Sequence, residues 1–417
     1  MPEADIDPFE TDMFVDPRDS VVEVTDRTYF HASFSAITAF ETDAGLVLVD
    51  TGVEQTSARM AETLRETTDA PVHTAIYTHG HLDHAYGLEQ YLTEGQDDPR
   101  VIAHENVPDR FARYARTAGH NEAINARQFG GAASETDDLT DESGSRFREP
   151  NYPPTTLYDD AFTIEVGETT FQLRHAKGET DDHTYVYCPD REVLCSGDFH
   201  INVAPNAGNP QKVQRYPWEW ADTLREMAGL EPEHLCPGHG RPVVGDPEEV
   251  QERLLGSAAY LDEIVDQTLA ALNDGSPPHV DIVHELDLPD YDEPWLAESY
   301  DEAAFIARNV VRYYGGWWSG RPSELKPAPR EELAGEVAAL AGDARTLADR
   351  ALALADDDIR VACHLADYAL EAAPDDDAVQ EAVVEVYERR ALAEENLMSG
   401  NIYSSAAEYA REGRPFR

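Results

Sequence analysis

Lysine is almost missing from this chain. Three of its 417 residues are lysines (Lys177, Lys212 and Lys326), and every other cationic side chain is an arginine. Basic charge as a whole is scarce, with 32 Lys+Arg against 83 Asp+Glu and a formal net charge of −51. Nucleic acids and anionic membranes both need a basic face, so neither is an expected partner. The acid is spread along the whole chain instead of being gathered in a tail. That is the surface pattern of a protein from a high-salt cytoplasm, of haloarchaeal type, where dense carboxylates keep it hydrated.

Long apolar runs are missing too. No stretch approaches the roughly 20 apolar residues that cross a bilayer. The N-terminal "MPEADIDPFETDMFVDPRDS" is acidic and lacks the charged-then-apolar layout of a signal peptide. The expected location is therefore cytoplasmic. Cysteine is sparse: Cys188, Cys195, Cys236 and Cys363 show no CxxC spacing. A disulfide framework is excluded, and the four are expected to behave as small buried apolar residues.

What is present is a chain long enough for two domains, with 41% hydrophobic residues to build their cores. Up to about residue 240, runs such as "VVEVTDRTYF", "GLVLVDTG", "VHTAIYTHG", "FTIEVGETTFQLRHAKG" and "HLCPGHG" read as strands bounded by Gly and Asp turns. "TSARMAETLRETT" and "YPWEWADTLREMAGL" between them have helical spacing. Such alternation predicts an α/β domain of sheets covered by helices over 1–250. The polar stretch from about 130 to 155 is expected to be a long loop or lid. From 251 to 417 the pattern is almost purely helical, with Ala/Leu stripes punctuated by Asp, Gly and Pro.

The most informative stretch is "THGHLDHAYG", residues 78–87, which packs His79, His81, Asp83 and His84 into six positions. Neutral imidazoles and a carboxylate are natural ligands of zinc, and without a metal they would form a costly polar loop. The His-Gly-His turn follows a strand and puts His79 and His81 on one side. Asp83 and His84 fall at a helix start and point elsewhere. One stretch can thus feed two metal centres. Further candidates stand at later strand ends beside glycines: Glu179 in "AKGETDDHT", Asp198 in "CSGDFH" and His239 in "LCPGHGRP".

This order and spacing resembles the metallo-β-lactamase superfamily, whose fold is an αββα sandwich. There the HxHxDH stretch is followed by a Gly-His turn, an Asp bridging both metals and a last Gly-His. The resemblance implies one metal held by His79, His81 and Glu179 and a second by Asp83, His84 and His239. Asp198 would bridge them, and Asp50 in "LVLVDTG" would orient the first loop. A Glu replaces the usual His at 179, as in the alkylsulfatase branch, with His183 the weaker alternative ligand. "YYGGWWSGRPSELKP" and the helices after it also look like the alkylsulfatase dimerisation domain, which implies a homodimer. The implied cofactors are two divalent ions, zinc first, with manganese or iron admitted by the oxygen ligand.

The implied activity is hydrolysis of sulfate monoesters, small anionic substrates, by a metal-activated hydroxide with Asp83 and Asp198 in the catalytic centre. Arg215, on a loop with Asn202, Asn206 and Asn209, is the expected anion-binding cation, and Arg127 is a second candidate. His200 is the candidate acid for the leaving alcohol. One alternative is a hydrolase of the same fold acting on phosphate esters, thioesters or lactones. Another is a non-enzymatic, metal-stabilised dimeric scaffold.

Overall fold

A computed structural model describes residues 21–129, 145–275, 281–289 and 291–416. Its strands form where β-branched and aromatic residues cluster between short turns. β1 (Val21–Thr25), β2 (Thr28–His31), β3 (Ile37–Thr42) and β4 (Gly45–Val49) make an antiparallel meander. β5 (Val72–Ile76), β6 (Arg100–His104) and β7 (Thr156–Tyr158) continue it in parallel to a seven-stranded sheet in chain order. The second sheet has five strands in the order β12-β11-β10-β9-β8. These are β8 (Ala161–Val166), β9 (Thr169–His175), β10 (Thr184–Cys188), β11 (Val193–Gly197) and β12 (His234–Pro237). β4, "GLVLV", is buried along its whole length because both its faces are covered.

Between the sheets lies a core of Phe30, Phe40, Val49, Ile76, Phe171, Leu173 and Val186. Cys188, Cys195 and Cys236 belong to it, and all four cysteines are free thiols. The outer face of the first sheet is covered by α1 (Glu54–Arg65) and by α3 (Val107–Arg116), which follows the one-turn α2 (Leu82–Ala85). Met60, Leu64, Val107 and Phe111 pack there on Ile37, Leu46 and Leu48. α4 (Ala118–Phe129) follows α3, and neither helix was marked by the sequence pattern. Over the second sheet lie α5 (Pro217–Ala228), α6 (Pro247–Asp274) and α7 (Ala303–Gly315). Trp220, Leu224, Leu254, Leu261, Ile264 and Ile306 share a core with Tyr185, Leu194 and Leu235. The expected αββα sandwich is therefore the fold of this part of the chain.

The boundary expected at 250 falls inside α6. That helix has the punctuation of a single element: Asp246 accepts from the Glu249 amide, Pro247 opens it, and Gly275 closes it at φ 87°. Its buried face completes the sandwich, and the compact unit built on the sheets runs on to Gly316. Composition turns helical earlier because the sandwich's own outer layer is helical.

The other unit comprises described residues 122–129 and 317–416. Within it, α8 (Pro322–Leu325), α9 (Arg330–Ala341), α10 (Ala344–Leu354), α11 (Ile359–Ala372), α12 (Asp377–Leu392) and α13 (Leu397–Arg411) follow one another. Asp343, Asp358, Asp376 and Asn396 each cap the helix that follows, so the Asp punctuation has a mechanical meaning. The core of this unit is made of small residues, including Ala351, Ala362, Ala366, Val383, Val386 and Ala407. Arg127 belongs here, its guanidinium lying 4.8 Å over the Phe416 ring and 5.7 Å over Tyr409. Most of the lid expected at 130–155 lies outside the described residues. Its described end is tied to α1, where Arg148 donates to both oxygens of Glu54 at 2.9 Å.

Candidate metal centre

β5 runs into Tyr77 and Thr78, and the chain then turns through His79, Gly80 and His81 before α2 begins. The turn is held from beneath. The Gly80 amide donates to Asp182 Oδ2 at 3.1 Å, and Arg110 Nε donates to the same oxygen at 2.7 Å. Arg110 also pairs with Asp181. Both Arg110 and Asp182 are buried, and the arginine holds the Asp182 carboxyl, otherwise raised by burial, down to about 2.

Among the described residues, two groups of ligating atoms converge: His79, His81, Glu179 and Asp198 in one, Asp83, His84 and His239 in the other. His81 Nδ1 lies 2.8 Å from His79 Nε2 and 3.2 Å from Glu179 Oε2. His79 Nε2 is 3.6 Å from Glu179 Oε2 and 3.7 Å from Asp198 Oδ2. The other oxygen of Asp198, Oδ1, is 3.3 Å from His84 Nε2 and 3.5 Å from His239 Nε2. Asp83 Oδ2 is 3.5 Å from each of those two nitrogens. Asp198 thus offers one oxygen to each group. At Gly238 a Cβ would come within 2.0 Å of Asp198 Oδ1, so only glycine leaves room for that carboxylate.

Hydrogen bonds at the back of three rings fix which nitrogen is a lone pair. The Thr78 hydroxyl donates to Asp50 Oδ2 at 2.8 Å, so its 3.0 Å contact with His79 Nδ1 makes that nitrogen the donor. His84 Nδ1 donates to Asp50 Oδ2 at 2.8 Å, and His239 Nδ1 donates to the Phe34 carbonyl. In its neutral form each ring presents a bare Nε2 to its group. Asp50 holds both inner rings from a left-handed backbone position, φ 60°, at the end of β4. It is the support expected for the first loop.

His84 Nε2, Glu179 Oε2 and Asp198 Oδ1 are buried with no hydrogen-bond partner. Buried polar atoms in proteins are normally satisfied, and three orphans converging on the two ligand groups fit a cation between them. The electrostatics agree. Burial pulls His84 down, but the carboxylates of Asp198, Asp83 and Asp50 outweigh it and raise the ring well above its ordinary value. Burial alone lifts Asp198, yet His84 and His239 hold it well below the usual carboxylate range. His79 is kept neutral by burial and by the neighbouring His183, His84 and His81. Histidine nitrogens and carboxylate oxygens in two adjoining sets, with three carboxylates in all, fit a pair of divalent ions.

Two expected roles change, and the weaker alternative ligand is set aside. His183 is no ligand, because its Nε2 accepts the Asp198 amide at 3.1 Å and its ring stacks on His79 at 4.2 Å. His200 does not face the two groups. Its Nε2 meets Asn202 Oδ1 at 3.1 Å, and burial together with Arg253 takes it down to about 3, leaving no proton for a leaving alcohol near neutrality. Arg215 is only 2% exposed and grips Glu179, through Nη2 to Oε1 at 2.9 Å and Nη1 to the backbone carbonyl at 2.8 Å. Only its Nε is left without a hydrogen-bond partner. Asn206 joins Arg215 by donating to Glu179 Oε1. Asp182, Arg110 and Thr78 carry no signal in the sequence, since each acts on a residue distant in the chain or through a single hydroxyl.

Residues 32–239 match the metallo-beta-lactamase superfamily model, and residues 279–413 match the alkyl sulfatase dimerisation model. A linear primary-alkylsulfatase of Pseudomonas sp. is 28% identical over 88% of this chain and 72% of its own length. An (R)-specific secondary-alkylsulfatase of Pseudomonas sp. is 26% identical over 91% of this chain, which spans 60% of that relative. The alpha subunit of 2,4-dinitroanisole O-demethylase from Nocardioides sp. is 25% identical over 69% of this chain and 76% of its own. Among solved structures, a stereoselective inverting sec-alkylsulfatase from Pseudomonas sp. superposes with a TM-score of 0.82. At 22% identity, covering 95% of this chain and 66% of that one, it is a likeness of fold.

Proposed function

From a chain that carries a metallo-beta-lactamase superfamily domain joined to an alkyl sulfatase dimerisation domain, we propose a metal-dependent hydrolase of sulfate monoesters. The observation that carries the reading is Asp198, one oxygen in each of two adjoining ligand groups, in a chain whose relatives include alkylsulfatases. His79, His81 and Glu179 hold one divalent ion, and Asp83, His84 and His239 hold the other. Two such ions, when bound, act as Lewis acids on the ester's oxygens and bring a water's pKa toward neutrality. The protein's own part is to keep His79 and His81 neutral, to exclude bulk water from five buried ligands, and to fix Glu179 through Arg215 and Asn206. The cation left to meet the ester's negative charge is Lys212, half-buried, which burial and Arg215 pull down to about 7 against the fields of Glu179 and Asp83.

The finer readings belong here too. Zinc suits the His-rich set, and manganese or iron is admitted by Glu179. A homodimer is supported by the dimerisation match. No described helix is long and apolar enough to cross a membrane, and the acidic surface supports a salt-rich cytoplasm. A second reading, cleavage of a non-sulfate leaving group, is favoured by the demethylase relative.

The test is hydrolysis of short sulfate esters, matching phosphate esters and an aryl methyl ether in multimolar salt. Zinc- and manganese-loaded wild type is compared with Glu179→Ala. Sulfate-selective turnover that disappears in the variant supports the proposal. Phosphate- or ether-selective turnover transfers the same centre to the other reading.

A further inference from the structure

Arg215 and Asn206 sit on a polar stretch, 200–216, that contains no strand or long helix of its own. What fixes it is α7 and the turn before it. The Gly208 amide donates to Asp301 Oδ2 at 2.6 Å, and the Ala204 amide to the Ala297 carbonyl at 3.0 Å. At Arg215 the grip is reciprocal. Asn309 Nδ2 donates to the Arg215 carbonyl at 3.1 Å, and Asn309 Oδ1 accepts the Arg215 amide at 3.4 Å. The same oxygen accepts Gln214 Nε2 at 3.0 Å. Asn309 therefore pairs with the backbone of Arg215 as a neighbouring strand would, and only a primary amide supplies both the donor and the acceptor. From there Arg215 holds both the carbonyl and the Oε1 of Glu179, which leaves Oε2 aimed at His79 and His81.

We infer that Asn309 is a positioning residue for one metal site only, the His79–His81–Glu179 site. The second group is held differently, with Asp50 behind His84 and the Phe34 carbonyl behind His239. Asn309 lies in the segment matched by the alkyl sulfatase dimerisation model, outside the stretch that matches the metallo-beta-lactamase model. The segment named for assembly thus supplies part of the metal centre within the sheet-bearing unit. This inference rests on the two-metal reading and is independent of which ester is cleaved.

The experiment titrates metal-free, full-length protein with Co²⁺, following its visible absorption, in two single-site backgrounds. His239→Ala keeps the first site and His81→Ala keeps the second. Adding Asn309→Ala is expected to weaken cobalt binding about tenfold in the first background, the scale of outer supporting interactions, and to leave the second unchanged. Equal weakening in both, or none in the first, overturns the proposal. Asn309→Asp is run in parallel because it keeps the shape and sets a carboxylate against the Arg215 carbonyl. It is expected to show the same selectivity, and thermal unfolding reports whether each variant is intact. Loss of the fold in both variants would assign Asn309 to stability and overturn the positioning role.

Discussion

The two ligand groups share Asp198 and similar donor atoms, yet they are supported in opposite ways. The His79–His81–Glu179 group is braced by charge: Arg215 pairs with Glu179, and the Arg110–Asp182 pair lies under the turn. All four of those side chains are buried. The Asp83–His84–His239 group is braced by Asp50 and a backbone carbonyl, and its own carboxylate, Asp83, is 20% exposed. Bracing by buried charge makes a ligand a stability element as well, because its loss strands a partner. Asp83, partly exposed and paired with no arginine among the described residues, can be lost without stranding a buried guanidinium.

The largest effect should follow from removing what the groups share. Asp198→Ala is expected to empty both sites and to lower turnover by more than the roughly 100-fold seen when only outer supports are lost, with metal content measured alongside. A variant that keeps one tightly bound ion would break the symmetry argued for Asp198. Next comes Glu179→Ala, which strands Arg215 in the interior. Breaking a buried pair costs about 3–5 kcal/mol, so denaturant unfolding of the metal-free protein should show a loss of that order. Asp83→Ala should lose one ion at a smaller cost in stability, because Asp83 is partly exposed and its loss strands no buried guanidinium. Equal costs for the two would erase the distinction between the groups.

Asp50→Ala sharpens the comparison from the other side. Asp50 meets His84 directly and His79 through Thr78, so cobalt titration should show both sites weakened, each by about 10- to 100-fold. Selective loss would mean that Thr78 holds His79 unaided. The smallest effect concerns salt. With a net charge of −51, an anionic ester is repelled at long range unless counterions screen the surface. The Debye length is about 3 Å at 1 M salt and about 10 Å at 0.1 M. The Michaelis constant should therefore rise a few-fold as salt is lowered while circular dichroism reports an intact fold.

The residues of the two candidate ligand groups were legible because they are local or punctuated. His79, His81, Asp83 and His84 fall within six residues, and Glu179, Asp198 and His239 stand beside glycines after apolar strands. The strands of both sheets were legible for the same reason, apart from the three-residue β7, too short to show a period. The partner of Arg215 was not, because an arginine's chemistry is equally suited to an anion and to a carboxylate 36 residues away. His200 beside Asp198 likewise has the right type in the right neighbourhood, and only the fold turns it to Asn202. α6 and α7 were assigned away from the sandwich because an amphipathic period shows that a helix has an apolar face and not which core receives it.

The most direct measurement is the metal content of wild type, His81→Ala and His239→Ala, by elemental analysis of protein loaded with zinc and freed of excess ions. Two adjoining sites that share Asp198 and Asp50 but take their other ligands separately predict about two, one and one ions per chain. One ion or none in the wild type, or simultaneous loss of both ions from either single variant, would contradict the account of two sites with separate ligand sets.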